Sequence, residues 1–229
     1  MDLFLDLDGT LIDSADGILG SFRHALEACG IAPPERLDRS LVGPPLAVMV
    51  RRLLGREDIH LESRVAESFK AHYDREGCLR SLAYPGVPGI LAAWCHQGHR
   101  LIIVTNKRRG PTLRILEHLD LLDRFQGIHT PDGSTPPIGS KAELLGAALA
   151  TYRSAPGSSL MVGDSEDDGQ AARQHGIRFI HAAYGYGRIE GAGIPVTLRI
   201  GSLDELDLAA LQGCGGTGYS GYSRRREQE

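Results

Sequence analysis

Four short apolar runs, set among amphipathic stretches, constrain this chain more than any other feature. They are LFLDL at 3–7, RLIIVT at 100–105, SLMVGD at 159–164 and IRFIHA at 177–182. Runs this short, without regular polar alternation, suit strands covered on both faces. Helical patterns accompany them. VPGILAAWCHQG (87–98) reads as a helix with a glycine stop at Gly98. GPTLRILEHLDLL (110–122) and GSKAELLGAALATY (139–152) repeat apolar residues at three- and four-residue spacing. Strands alternating with helices imply parallel βαβ units and an α/β fold.

The first strand breaks that rhythm. No strand pattern is visible between Asp13 and about Leu82. The stretch holds three amphipathic segments, separated by IAPPE and LVGPPL, where proline and glycine interrupt helices. Residues 15–82 therefore read as an all-α insertion, placed to act as a lid. Residues 1–14 and 83–212 form the parallel-sheet core, and the Gly-rich tail 213–229 reads as disordered.

Carboxylates follow the strands. Asp6-Leu7-Asp8-Gly9-Thr10 follows the first run, Thr105-Asn106-Lys107 the second, and Asp164 to Asp168 the third. Ligands in open α/β sheets bind at the carboxyl ends of the strands. If these strands are neighbours, the three clusters converge. Two unit charges about 4 Å apart repel by roughly 4 kcal/mol at an effective dielectric of 20. A divalent cation resolves that conflict, and hard oxygen ligands favour Mg²⁺. Asp6, Asp8 and Asp164 are the natural ligands, and phosphate is the obvious anion to complete the shell. Taken alone, Asp164 also reads as the N-cap of the helix that follows it.

These motifs resemble those of the haloacid dehalogenase-like hydrolases. DLDGT is similar to their first motif, D-x-D-G-T, and IIVTN to the second. Lys141 in GSKAELLGAAL stands for the third, and MVGDSEDD for the fourth, with Asp164 and Asp168. The resemblance runs to about residue 211. LVGPPL, YPGV and YGYG are similar to the phosphoglycolate phosphatase branch, whose helical cap follows the first motif. The resemblance implies a Rossmann-like three-layer core with an inserted helical cap. It implies Asp6 as nucleophile and Asp8 as acid and base, with Thr105 and Lys141 assisting. Gly9, Thr10, Thr105, Asn106 and Lys107 would hold substrate, and Asp168 would support the site. SLVGPPL reads either as a cap loop reaching substrate or as a helix–helix turn. Asp8 itself points to phosphoryl transfer, because a leaving alkoxide needs a proton and a halide does not.

Composition narrows the partners. Net charge is −4, which recommends neither nucleic acid nor an anionic membrane. The four cysteines form no C-x-x-C, so a zinc site or disulfide framework has little support. No apolar run is long enough to span a bilayer. The expectation is a cytoplasmic monomer or homodimer that hydrolyses a small phosphorylated metabolite, phosphoglycolate first among them. A phosphosugar mutase using the same aspartates, or a phosphate-binding regulator without turnover, are the alternatives. Only three of the 25 basic residues are lysines, Lys70, Lys107 and Lys141; Lys141 also reads as a solvated helix lysine, with Lys107 then the alternative for the active-site role.

Overall fold

The N-terminal run forms strand β1, Asp2–Leu5, whose side chains are all buried. In the computed structural model, which describes residues 1–55, 57–189 and 193–212, this strand lies inside a six-stranded sheet. A two-strand ribbon follows, β2 (Ile12–Asp13) against β3 (Leu82–Ala83). Between its strands run α1 (Ala15–Ala28), α2 (Leu46–Leu54) and α3 (Ile59–Arg75). The chain then passes through α4 (Val87–His96), β4 (Arg100–Val104), α5 (Arg109–His118) and β5 (Gly127–His129). It continues through α6 (Lys141–Tyr152), β6 (Ser159–Gly163), α7 (Glu166–Gln174) and β7 (Arg178–Ala182). The short β8 (Leu198–Ile200) and α8 (Leu208–Gln212) close the described chain.

The sheet order is β5-β4-β1-β6-β7-β8, parallel throughout. Its central strands alternate between two apolar layers. Leu3, Leu5, Leu101, Ile103, Leu160 and Val162 face one cluster, with Leu91 and Trp94 of α4. Phe4, Ile102, Val104 and Met161 face the other, with Leu144, Leu145 and Ala148 of α6. This is a three-layer α/β fold, as the alternating pattern implies. Leu5 pairs with both Ile103 and Val162. Asp6, Thr105 and Asp164, each just past these pairs, are thereby brought to one sheet edge.

The helices between β2 and β3 pack on aromatic rings. Phe22 of α1 lies 4.3 Å from Phe69 of α3, and Phe69 stacks on Tyr73 at 5.3 Å. Four strands escape a sequence reading, the two-residue β2 and β3 together with β5 and β8. β5 and β8 are only three residues long and partly exposed, so neither shows a continuous apolar run. The tail read at 213–229 lies outside the described residues. Among the described residues, no helix is long and apolar enough to cross a membrane.

Phe22 is fully buried. Phe22→Ala is expected to cost about 3–5 kcal/mol in urea-induced unfolding, since removing a buried ring leaves a cavity. A cost under ~1 kcal/mol would show that the insertion does not fold around this ring pair.

Candidate active site

The turn after β1 is built around one carbonyl. The backbone amides of Thr10, Leu11 and Ile12 all donate to the Leu7 oxygen, while Gly9 N donates to Ile12 O. Gly9 takes φ +82°, and a Cβ there would lie 2.2 Å from Asp164 Oδ2. Glycine is needed twice over at this position, for its left-handed backbone and for the close approach of Asp164. Backbone amides hold the Asp164 carboxylate as well. Its Oδ2 accepts from Tyr186 N at 2.7 Å and Gly187 N at 2.9 Å. A Cβ on Gly185 would lie 2.3 Å from Asp164 Cβ, so the YGYG segment is glycine-rich where it lies against this aspartate. The N-cap of α7 is Ser165, not Asp164.

Asp6 is buried and accepts from Lys141 Nζ at 2.5 Å. Asp168 Oδ1 lies 2.8 Å from the same ammonium, and its Oδ2 accepts from Ser165 Oγ at 2.6 Å. Asp168 thus caps α7 and holds Lys141 at once. Lys141 is 5% exposed, which removes the alternative of a solvated helix lysine. Carboxylate oxygens of Asp6, Asp164 and Asp168 lie within 4.8 Å of one another. Three buried carboxylates face one ammonium. Burial, with the charges of Asp168 and Asp164, pushes Asp6 up to about 8 despite Lys141. Burial and the Asp168 charge push Asp164 up to about 6. The donor set fits a hard divalent cation: it is all oxygen, and its charge exceeds what Lys141 offsets. Asp6 and Asp164 line the cleft, while Asp168 sits behind them, paired with Lys141 and holding Ser165.

Asp8 belongs to a second cluster. Its Oδ1 accepts from Ser14 Oγ and lies 3.0 Å from Lys107 Nζ. Lys107 also donates to Tyr73 OH at 2.7 Å. Burial alone would lower the Lys107 ammonium, but Asp8 and Tyr73 outweigh it and hold it above its ordinary value. Each aspartate of the D-x-D pair therefore has its own lysine. The sequence reading made Asp8 a metal ligand, yet the carboxylate gathered with Asp6 and Asp164 is that of Asp168. Asp8 lies two residues further along the turn, where Lys107 and Ser14 take its oxygen.

A cleft of about 260 Å³ opens over both clusters. Asp6, Asp8, Thr105, Asn106, Lys107, Lys141 and Asp164 line it. Thr105 Oγ1 accepts from Lys107 N at 3.2 Å, and Asn106 Nδ2 donates to Asp167 at 3.4 Å. Gly9 and Thr10 do not line the cleft. Thr10 is fully buried, and its carbonyl accepts from Tyr184 OH at 2.7 Å, so its place is in the turn. The facing wall carries Val42, Leu46, Met49 and Phe69, which brings the LVGPPL segment to the cleft. Sequence reasoning missed Ser14, Tyr73 and Tyr186. Ser14 follows the motif directly and Tyr186 lies within YGYG, so both could have been suspected; Tyr73 carries no local signal.

Metal removal should leave a pH signature. With Asp6 near 8 and Asp164 near 6 in the folded state, both bind protons more tightly than an unfolded aspartate, whose pKa is about 4. Their contribution is present below about pH 4 and is lost as pH rises through 6 towards 8. Chelated protein is expected to lose thermal stability across that window. Added Mg²⁺ should raise the melting temperature more at about pH 8 than at about pH 5, because it competes with these protons. Calorimetry showing equal increments at both values would count against the triad as a cation site.

Comparison with known proteins identifies the family. Residues 3–182 match the family model described as haloacid dehalogenase-like hydrolase. The chain is 37% identical over 210 residues to tyrosine-protein kinase PtkA of Mycobacterium tuberculosis, covering 89% of this chain and 70% of that protein. It is 33% identical over 190 residues to a phosphoglycolate phosphatase of Nitrosospira multiformis, covering 80% of this chain and 83% of the relative. A haloacid dehalogenase-like hydrolase from Streptococcus pneumoniae superposes with a TM-score of 0.80 at 25% identity, over 92% of this chain and 98% of its own. With paired aspartates at the sheet edge, a lysine on each, and a family match spanning most of its length, the chain belongs to the haloacid dehalogenase-like hydrolases.

Proposed function

We propose that the chain is a magnesium-dependent phosphatase that acts on a small phosphate monoester through an aspartyl-phosphate on Asp6. One observation carries the reading. Asp6 and Asp8, one residue apart, both line one cleft, so one can reach phosphorus while the other reaches the leaving oxygen. A nucleophile must be ionised while the acid beside it carries a proton.

Asp6 forms a bond to phosphorus as the ester P–O bond breaks, and Asp8 gives its proton to the departing oxygen. Water then attacks phosphorus, Asp8 takes the proton back, and the Asp6–phosphorus bond breaks to release inorganic phosphate. Lys141 keeps Asp6 oriented, and Asp168 keeps Lys141 in place. The Thr105 hydroxyl, at the same edge, is placed to hold a phosphoryl oxygen. A bound magnesium ion would supply the positive charge that favours ionised Asp6 and Asp164 and offsets the charge of the approaching phosphate. Residues 15–82 would act as the cap, since their helices form the wall opposite the aspartates.

Phosphoglycolate is the first substrate to test. The phosphoglycolate phosphatase relatives support it, and exposed Lys70 on the cleft wall is a cation for its carboxylate. The likeness to a tyrosine-protein kinase favours a second reading, in which a tyrosine hydroxyl replaces water as the phosphoryl acceptor. Phosphate release from p-nitrophenyl phosphate and a metabolite panel, with Mg²⁺ and then with chelator, separates these. Release that stops with chelator is expected for a phosphatase. Labelled nucleotide giving phosphotyrosine on a protein substrate, without phosphate release, would select the kinase. Asp6→Asn is expected to lower turnover at least about a thousandfold, as loss of a covalent nucleophile does. Turnover retained in that variant would remove Asp6 from the role.

A further inference from the structure

Two consecutive residues of α3 grip two consecutive residues of the loop after β4. Asp74 pairs with Arg108 through both carboxylate oxygens, and Tyr73 OH accepts from Lys107 Nζ at 2.7 Å. The second contact continues inward, because the Lys107 ammonium lies 3.0 Å from Asp8 Oδ1. We propose that Tyr73 is a positioning residue: its phenol oxygen holds the Lys107 ammonium against the Asp8 carboxylate. The acid end of the site is then complete only when the helical insertion is seated. This inference rests on the phosphatase reading for its catalytic consequence, and on geometry alone for the contact.

Tyr73 is well suited to that task. It is 3% exposed, and its ring stacks on Phe69, which packs in turn on Phe22. The phenol oxygen is thereby held by an aromatic column rather than by a free rotamer. A lysine brings the opposite property, a compact charge on a flexible four-carbon stem. Without the phenol oxygen the ammonium keeps Asp8 and the face of the Tyr73 ring, 4.7 Å away, neither of which fixes its position along the cleft as a directional hydrogen bond does. A second acceptor of fixed position removes that freedom, and small displacements of catalytic groups cost large factors in rate. The apolar periodicity of α3 accounts for the Tyr73 ring but gives no reason for its hydroxyl, which would otherwise be an unneeded polar atom in a buried wall.

The test uses Tyr73→Phe, which keeps the ring, together with Lys107→Met and the double variant. With p-nitrophenyl phosphate and Mg²⁺, Tyr73→Phe is expected to lower kcat about tenfold, the loss of one hydrogen bond to a charged group. KM should stay within about twofold of its starting value, because uniform binding is untouched. The double variant should match Lys107→Met, since the two residues act as one unit. Full kcat in Tyr73→Phe, a rise in KM alone, or losses that multiply in the double variant would each overturn the proposal. Acetic anhydride labelling read by peptide mass spectrometry provides an arm independent of turnover. Exposed Lys70 and buried Lys141 serve as internal references. Acetylation of Lys107 should rise at least about threefold in Tyr73→Phe once the ammonium is released; unchanged labelling would overturn the contact. Failure of the unaltered chain to hydrolyse any ester speaks against the phosphatase reading alone, and the labelling result still decides whether Tyr73 holds Lys107.

Discussion

Three buried carboxylates around a single buried ammonium form the constraint on which the rest of the site depends. Burying a charge is costly unless it is paired, and here the pairing is incomplete. Lys141 touches Asp6 and Asp168, while two backbone amides hold Asp164. The surrounding fold serves this arrangement closely. Gly9 lacks a side chain where Asp164 approaches, and the glycines at 185 and 187 let a second loop close over it. Asp168 is spent on the helix cap and on Lys141, leaving Asp6 and Asp164 to face the cleft.

The second cluster shows how a short motif can hold two chemistries. Asp6 and Asp8 are separated by one residue, yet Leu7 between them is fully buried and its carbonyl anchors the turn. The turn sends the two carboxylates to different lysines, one on α6 and one in the loop after β4. Different partners are the usual means by which neighbouring acids acquire different roles. The lysine at Asp8 is also the one that reaches the helical insertion, so the part of the chain that walls the cleft is linked to Asp8 rather than to Asp6.

The central sheet was readable from local pattern because its strands are buried on both faces and therefore apolar throughout. β2, β3, β5 and β8 were not, since two or three partly exposed residues carry no period. The D-x-D pair, Thr105 and Asp164 were readable because each directly follows a buried strand. Lys141 was ambiguous for a physical reason: one lysine at the start of a helix looks the same whether it meets water or a carboxylate. Gly9 and Thr10 sit inside the motif but serve its turn, a distinction that spacing does not carry.

The order of residues by itself determined that buried strands end in carboxylates, that a helical segment interrupts them, and that Asp6 and Asp8 stand in the first of those turns. Burial, helical period and turn propensity act over a few residues and leave their mark on the local string. Only the tertiary structure decided the pairing of charges. Lys141 stands 135 positions from the carboxylate it holds, and Tyr73 stands 34 from the ammonium it meets. Such contacts depend on which strands become neighbours and how a helix seats against a loop, and those are properties of the whole packed chain.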